Sequence, residues 1–161
     1  MKAVAVENPG RDYALKIVEI ERPRPKAGEV LIRTAAAGLN RADLIQAQGG
    51  YPPPPGAPQT LGLEVSGEII ETGAGVTALK PGDKVCALLA GGGYAEFCAV
   101  SERCVLPIPE GVSVIDAAAL PEAHFTVWTN LMDAAHLKAG ESVLIHGGSS
   151  GIGVAEPFDC S

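Results

Sequence analysis

Gly148-Ser149-Ser150-Gly151-Ile152-Gly153 follow an apolar run, Val143-Leu144-Ile145, and are spaced G-x-x-G-x-G. Glycines at this spacing let a backbone turn tightly and approach phosphate oxygens with no Cβ in the way. A helix opening at the same point aims its N–H groups at the anion. The chemistry would be pyrophosphate binding for a dinucleotide. A lone glycine pattern is equally a flexible strand-to-helix turn, and its place after an apolar run favours the phosphate reading. From residue 104 onward, one basic residue (Lys138) stands against seven acidic ones, a net charge of −6. A phosphate there would be held by backbone N–H groups, with any cation coming from the first hundred residues or from outside the chain.

A second set of polar groups, Asn40, Arg41, Asp43 and Tyr51, lies in GLNRADLIQAQGGYPPPPG. Four consecutive prolines stiffen the loop, and the set could orient a carbonyl substrate. Each residue also has a plainer reading: Asn40 as a helix cap, Arg41 and Asp43 solvated, Tyr51 packed on the prolines. In LGLEVSGEI, Glu64 is costly if buried without a partner, and strand alternation could place it at the surface instead. Cys86, Cys98, Cys104 and Cys160 form no C-x-x-C pair and have no histidine at ligand spacing, so a zinc site is not expected. Cys86 and Cys98 sit in strand-like runs and read as buried thiols.

These groups need elements to hold them. MKAVAVE, ALKIVEIE, VLIRTAAAGLN, LEVSGEIIETG and two runs within GDKVCALLAGGGYAEFCAV read as short strands broken by turns, which predicts a small barrel or sandwich. A short helix is predicted after Asn40. From Ser113 the pattern becomes helical, split at Pro121. SVLIHGG reads as a strand buried on both faces of a parallel sheet. The fold class is therefore mainly β, with a helical connector and the first strand and glycine turn of an α/β unit. The boundaries fall at 1–112, 113–153 and 154–161, the last an atypical tail. The net charge of −7 over 161 residues argues against nucleic acid. No apolar run is long enough to span a bilayer, and the start lacks a signal-peptide pattern, so cytoplasm is the expected location.

Taken together, GEVLIRTAAAGLNRADLIQAQGGYPPPPGAPQTLGLEVSGEI, PGDKVCALLAGGGYAEFCAV, LPIPEGVSVIDAAALPEAHFTVWTNL and GESVLIHGGSSGIG resemble the quinone oxidoreductase branch of the medium-chain dehydrogenase/reductase superfamily, in particular the zeta-crystallin and p53-inducible quinone oxidoreductase group. The resemblance runs from about residue 1 to Gly153. It implies a GroES-like catalytic domain joined to a Rossmann domain, and NADPH-dependent reduction of quinones or enones. Zinc-dependent relatives carry a cysteine at the position of Asn40 and a histidine at that of Leu63, so the metal-free branch is implied. Asn40, Asp43 and Tyr51 match residues lining the substrate and nicotinamide cleft, with Tyr51 or Asn40 steadying charge on the substrate oxygen. Thr126 matches a threonine that contacts the cofactor. Gly148, Gly151 and Gly153, with Ser149 and Ser150 between them, match the phosphate turn. Family members form homodimers through the Rossmann sheet. After Gly153 the family continues with a long helix and the rest of that sheet, whereas here VAEPFDCS follows, with Pro157 inside the expected helix. An active reductase and a catalytically incompetent GroES-like piece that only binds or interferes both stay open, and little activity is expected from these residues alone.

Overall fold

Alternating apolar residues draw the first two-thirds of the chain into antiparallel strands, and the computed structural model, which describes residues 1–155, contains seven. β1 (Lys2–Glu7) and β2 (Ala14–Glu19) pair with each other. β3 (Glu29–Ala37), β4 (Glu64–Thr72), β5 (Lys84–Leu88), β6 (Phe97–Ser101) and β7 (Val105–Pro107) form a second sheet in the order β6-β3-β4-β5-β7. Val30 and Ile32 of β3, Val65 and Ile69 of β4, and Val85 and Ala87 of β5 turn onto one core. Bulges between Leu31 and Ile32 and between Thr34 and Ala36 interrupt the β3–β4 ladder, and insertions of this kind bend a sheet. The mainly β fold with a following helix is the one the sequence leads to.

β4 does not keep a wet face. Glu64, Val65, Ser66 and Gly67 are all buried, because one side looks into the core and the other lies under the connector. That cover is a 3₁₀ turn at Asp116–Ala119 followed by α2 (Pro121–Trp128). The Ser66 hydroxyl donates to the Val114 carbonyl and ties the connector down. Pro121 occupies the first turn of α2, where its missing N–H would have had no helical partner. Beyond Trp128 the helix widens into a π turn, Thr129–Ala134, which no sequence pattern announces.

One expected element is absent. Residues 142–146 join no strand, and Val143, Leu144 and Ile145 are 41%, 82% and 39% exposed rather than buried. A parallel strand takes its hydrogen bonds and its burial from neighbours, and no described strand lies beside this one. The turn after it does open a helix, α3 (Gly151–Ala155), which packs on α2. A Cβ on Gly153 would fall 2.5 Å from Gly148 Cα, so the helix can cross the turn only on a glycine. Pro157 and Cys160 lie outside the described residues. Among the described residues no helix is long and apolar enough to cross a membrane.

Candidate active site

β3 ends at Ala37, and Gly38-Leu39-Asn40 carries the chain into α1 (Arg41–Ala47). Asn40 holds the cap position, its side chain facing the Asp43 N–H in a capping box, and its amide nitrogen makes a further contact. Its Nδ2 donates to Glu64 Oε1 at 2.9 Å. Asp43, in the first turn of α1, reaches back to accept the Asn40 backbone N–H at 2.8 Å. It also accepts the Gly62 N–H at 3.1 Å and the Tyr94 hydroxyl at 2.8 Å. With both oxygens engaged and only 4% of its surface exposed, Asp43 is not the solvated residue of the plain reading. Its three donors come from three separate segments, so it fastens the start of α1 to the loops before β4 and β6.

Glu64 is 3% exposed, which overturns the surface reading from strand alternation. The alternation argument assumes one wet face, and the connector removes it. The second Glu64 oxygen accepts the Glu122 backbone N–H at 2.9 Å, at the start of α2. That N–H has no partner within its own helix, and Leu120 supplies no side-chain cap. A carboxylate at a helix N-terminus is also favoured by the helix dipole. Gly38 leaves room for this, since a Cβ there would overlap the Glu64 carboxylate.

One turn further on, the Thr126 hydroxyl faces the Glu122 carboxylate at 3.5 Å. Burial pushes the Glu122 carboxyl above its usual range, the nearby Glu64 charge adds to this, the Thr126 hydroxyl opposes it, and Asp43 contributes a smaller upward push. Burial, then Asp43 and Glu64, likewise raise the Tyr94 hydroxyl, which therefore stays protonated and donating.

The Glu122 shift has a testable sign. A carboxyl whose folded pKa is raised favours folding below its unfolded value of about 4.5 and loses that contribution as pH rises through the folded value. Glu122→Gln keeps the backbone N–H to Glu64 and removes the titration. The variant is expected to melt higher than wild type at neutral pH and level with it near pH 4. Melting curves across that range check this, and a wild-type advantage that grows with pH would contradict it.

The remaining sequence candidates are placed apart. Asn40 and Asp43 line a groove of about 470 Å³ together with Tyr13, Leu39 and Tyr94. Tyr51, 46% exposed, lines a different groove of about 370 Å³ with Gln46, Pro52 and Pro53. Arg41 is exposed. Gly148, Ser149, Ser150 and Gly151 are exposed on the turn, where the Ser150 N–H is spent on Gly147 and its hydroxyl oxygen accepts the Gly153 N–H. Cys86 and Cys98 are buried, and burial pushes the Cys98 thiol up to about 12 and raises Cys86 as well. Among the described residues no three His, Cys, Asp or Glu side chains are arranged to hold a metal ion.

Tyr94 and Glu122 escaped the sequence reading. Tyr94 stands in GGGYAEF, where its neighbours signal only a turn, and its role depends on a partner 51 residues away. Glu122 directly after Pro121 is an ordinary helix-opening pair, and only the covered face of β4 makes it part of the site.

Residues 26–110, more than half of the chain, match the alcohol dehydrogenase GroES-like domain, and the chain belongs to that family. Within the medium-chain dehydrogenase/reductase superfamily it is quinone oxidoreductase-like. It is 38% identical over 157 residues to the quinone oxidoreductase of Rattus norvegicus, covering 96% of this chain and 48% of the relative. The quinone oxidoreductase of Thermus thermophilus, solved also in complex with NADPH, superposes with a TM-score of 0.76 at 33% identity over 96% of this chain and 48% of that one. CurK enoyl reductase superposes with a TM-score of 0.84 at 32% identity over 96% and 49%. The chain thus spans about half the length of these relatives.

Proposed function

We propose that these residues form the catalytic half of an NADPH-dependent, metal-free reductase of quinones or enones. The observation that carries this is the Glu64 carboxylate, which ties Asn40 to the start of the helix bearing Thr126, the two residues matched to the nicotinamide side of the cleft. NADPH when bound supplies a hydride from its nicotinamide ring to an electron-poor carbon. Gly148, Ser149 and Gly151 would hold its pyrophosphate through backbone N–H groups, while Ser150 and Gly153, whose N–H groups are already bonded within the turn, shape it. A Cβ at Gly148 or Gly151 would meet nothing within 4 Å, so the outer side of the turn is open to phosphate oxygens. The Tyr51 hydroxyl donates to the substrate oxygen as charge develops on it. Asp43 orders the site without touching the reacting atoms. The scheme needs no zinc ion, and Leu63 offers no ligand atom for one. A cytoplasmic location belongs to the same proposal.

A second reading, a GroES-like unit that binds or interferes without turnover, is favoured by the unpaired, exposed Val143–Ile145 segment just before the phosphate turn. Thermal melting of the purified chain with NADPH separates the two. Binding at a hundredfold excess over Kd contributes about 2.7 kcal/mol and raises Tm by roughly 5 °C or more, and NADPH is then consumed when a quinone is added. No shift and no consumption would leave the non-catalytic reading standing.

A further inference from the structure

Glu64 is a buried carboxylate that takes part in none of the ion pairs among the described residues. Burying a charge away from any cation is expensive, and the two hydrogen bonds it accepts account for its place. They also fix something the fold alone would leave free. A carboxylate only accepts, so the Asn40 amide must present its nitrogen to Glu64 Oε1. Turning the amide over would set Asn40 Oδ1 against that oxygen, acceptor to acceptor, at the same 2.9 Å separation.

We propose that Glu64 is the positioning residue of the site, holding the Asn40 amide nitrogen inward and Oδ1 outward. Asn40 Oδ1 also faces the Asp43 N–H of the capping box, and with its second lone pair it meets a bound ligand as an acceptor that recognises a donor, a hydroxyl or an amide N–H. The same carboxylate holds the first turn of α2, so the Asn40 face and the Thr126 turn are set together. This rests on the reductase reading and assigns its parts: charge on the substrate oxygen is met by Tyr51, and Asn40 orients the nicotinamide end of the cofactor.

The orientation is read without cofactor by side-chain amide hydrogen exchange in the isotope-labelled chain. One Asn40 Nδ2 proton is protected in the wild type. In Glu64→Gln the carboxamide oxygen can accept from Asn40 or from the Glu122 N–H but not both, and protection falls. In the double variant Asn40→Asp/Glu64→Gln, Gln at 64 donates to Asp at 40 and still accepts the Glu122 N–H, so protection reappears on residue 64. With NADPH as probe, Glu64→Gln binds about tenfold more weakly, and the double variant, which again turns an acceptor outward, returns to within about threefold of wild type. A merely structural role predicts no such recovery. With the reduced acetylpyridine analogue, which lacks the carboxamide N–H, a vanished penalty assigns the donor to the carboxamide and a persisting one to a ribose hydroxyl. Free exchange of both Asn40 protons in the wild type overturns the proposal. So does equal NADPH binding by wild type and Glu64→Gln, or a double variant no better than the single. If no form binds NADPH, the reductase reading fails and the exchange result alone decides the role of Glu64.

Discussion

Gly62→Ala is expected to remove roughly 4 kcal/mol or more of stability, a large share of the 5–15 kcal/mol typical of a domain. Two independent effects add. Gly62 has φ +103°, a region that side chains rarely adopt, and a Cβ there would lie 2.5 Å from Tyr94 N and 2.7 Å from Gly93 Cα and C. All three contacts are backbone, so no side chain can swing aside. The displaced loops carry the Gly93 N–H to Gly62 O and Tyr94 N–H to Leu61 O bonds. Gly62 also donates to Asp43 and stands two residues before Glu64. Gly75→Ala is the control, because φ is +84° there and nothing lies within 4 Å. It should cost only about 1–2 kcal/mol. Thermal melting of both variants checks the difference, with a drop of about 10 °C or insoluble expression for Gly62→Ala. Equal, small losses at the two positions would show that crowding contributes nothing.

The strands were legible because their cause is local. MKAVAVE and ALKIVEIE are rich in the β-branched Val and Ile that favour strands, and β1 and β2 form there. The helix after Asn40 was equally legible, since RADLIQA contains no breaker and α1 spans it. SVLIHGG shows the limit of this kind of inference. Val143, Leu144 and Ile145 have the composition of a buried strand, but burial is a property of neighbours, and none of the described strands lies beside them. β7 went unread because three residues, one of them Pro107, carry no repeat.

The site was half legible for a related reason. Asn40, Asp43 and Glu64 attracted notice as polar residues in apolar surroundings, a feature of composition. What each accepts or donates depends on separations of 19 to 58 residues, which no local pattern encodes. Strand alternation misled at Glu64 because it describes one strand and not what lies over it. Tyr94 is the converse case: an ordinary tyrosine in a glycine turn becomes the third donor to Asp43 once the fold closes.

That convergence on Asp43 gives the second large effect. Asp43→Ala removes the acceptor for the Asn40 and Gly62 N–H groups together and leaves the Tyr94 hydroxyl only the Gly38 carbonyl, at 3.1 Å. Each stranded donor costs about 1–3 kcal/mol. Partial relaxation brings the expected loss to about 3–4 kcal/mol, within the range of broken buried networks. Tyr94→Phe removes one donor and leaves Asp43 with two, so it should cost only about 1 kcal/mol. Because the two groups share a hydrogen bond, the double variant Asp43→Ala/Tyr94→Phe should fall short of the sum by about 1 kcal/mol. Denaturant melts of the four proteins measure that coupling directly. A residue acting on substrate alone would lower turnover and leave the melt unchanged. If Asp43→Ala melts within about 2 °C of wild type, its bonds are dispensable and Asp43 returns to the list of residues that act on the substrate. If the loss and the coupling both appear, Asp43 holds α1 against the loops before β4 and β6. Its effect on chemistry then runs through the Asn40 backbone that it fastens.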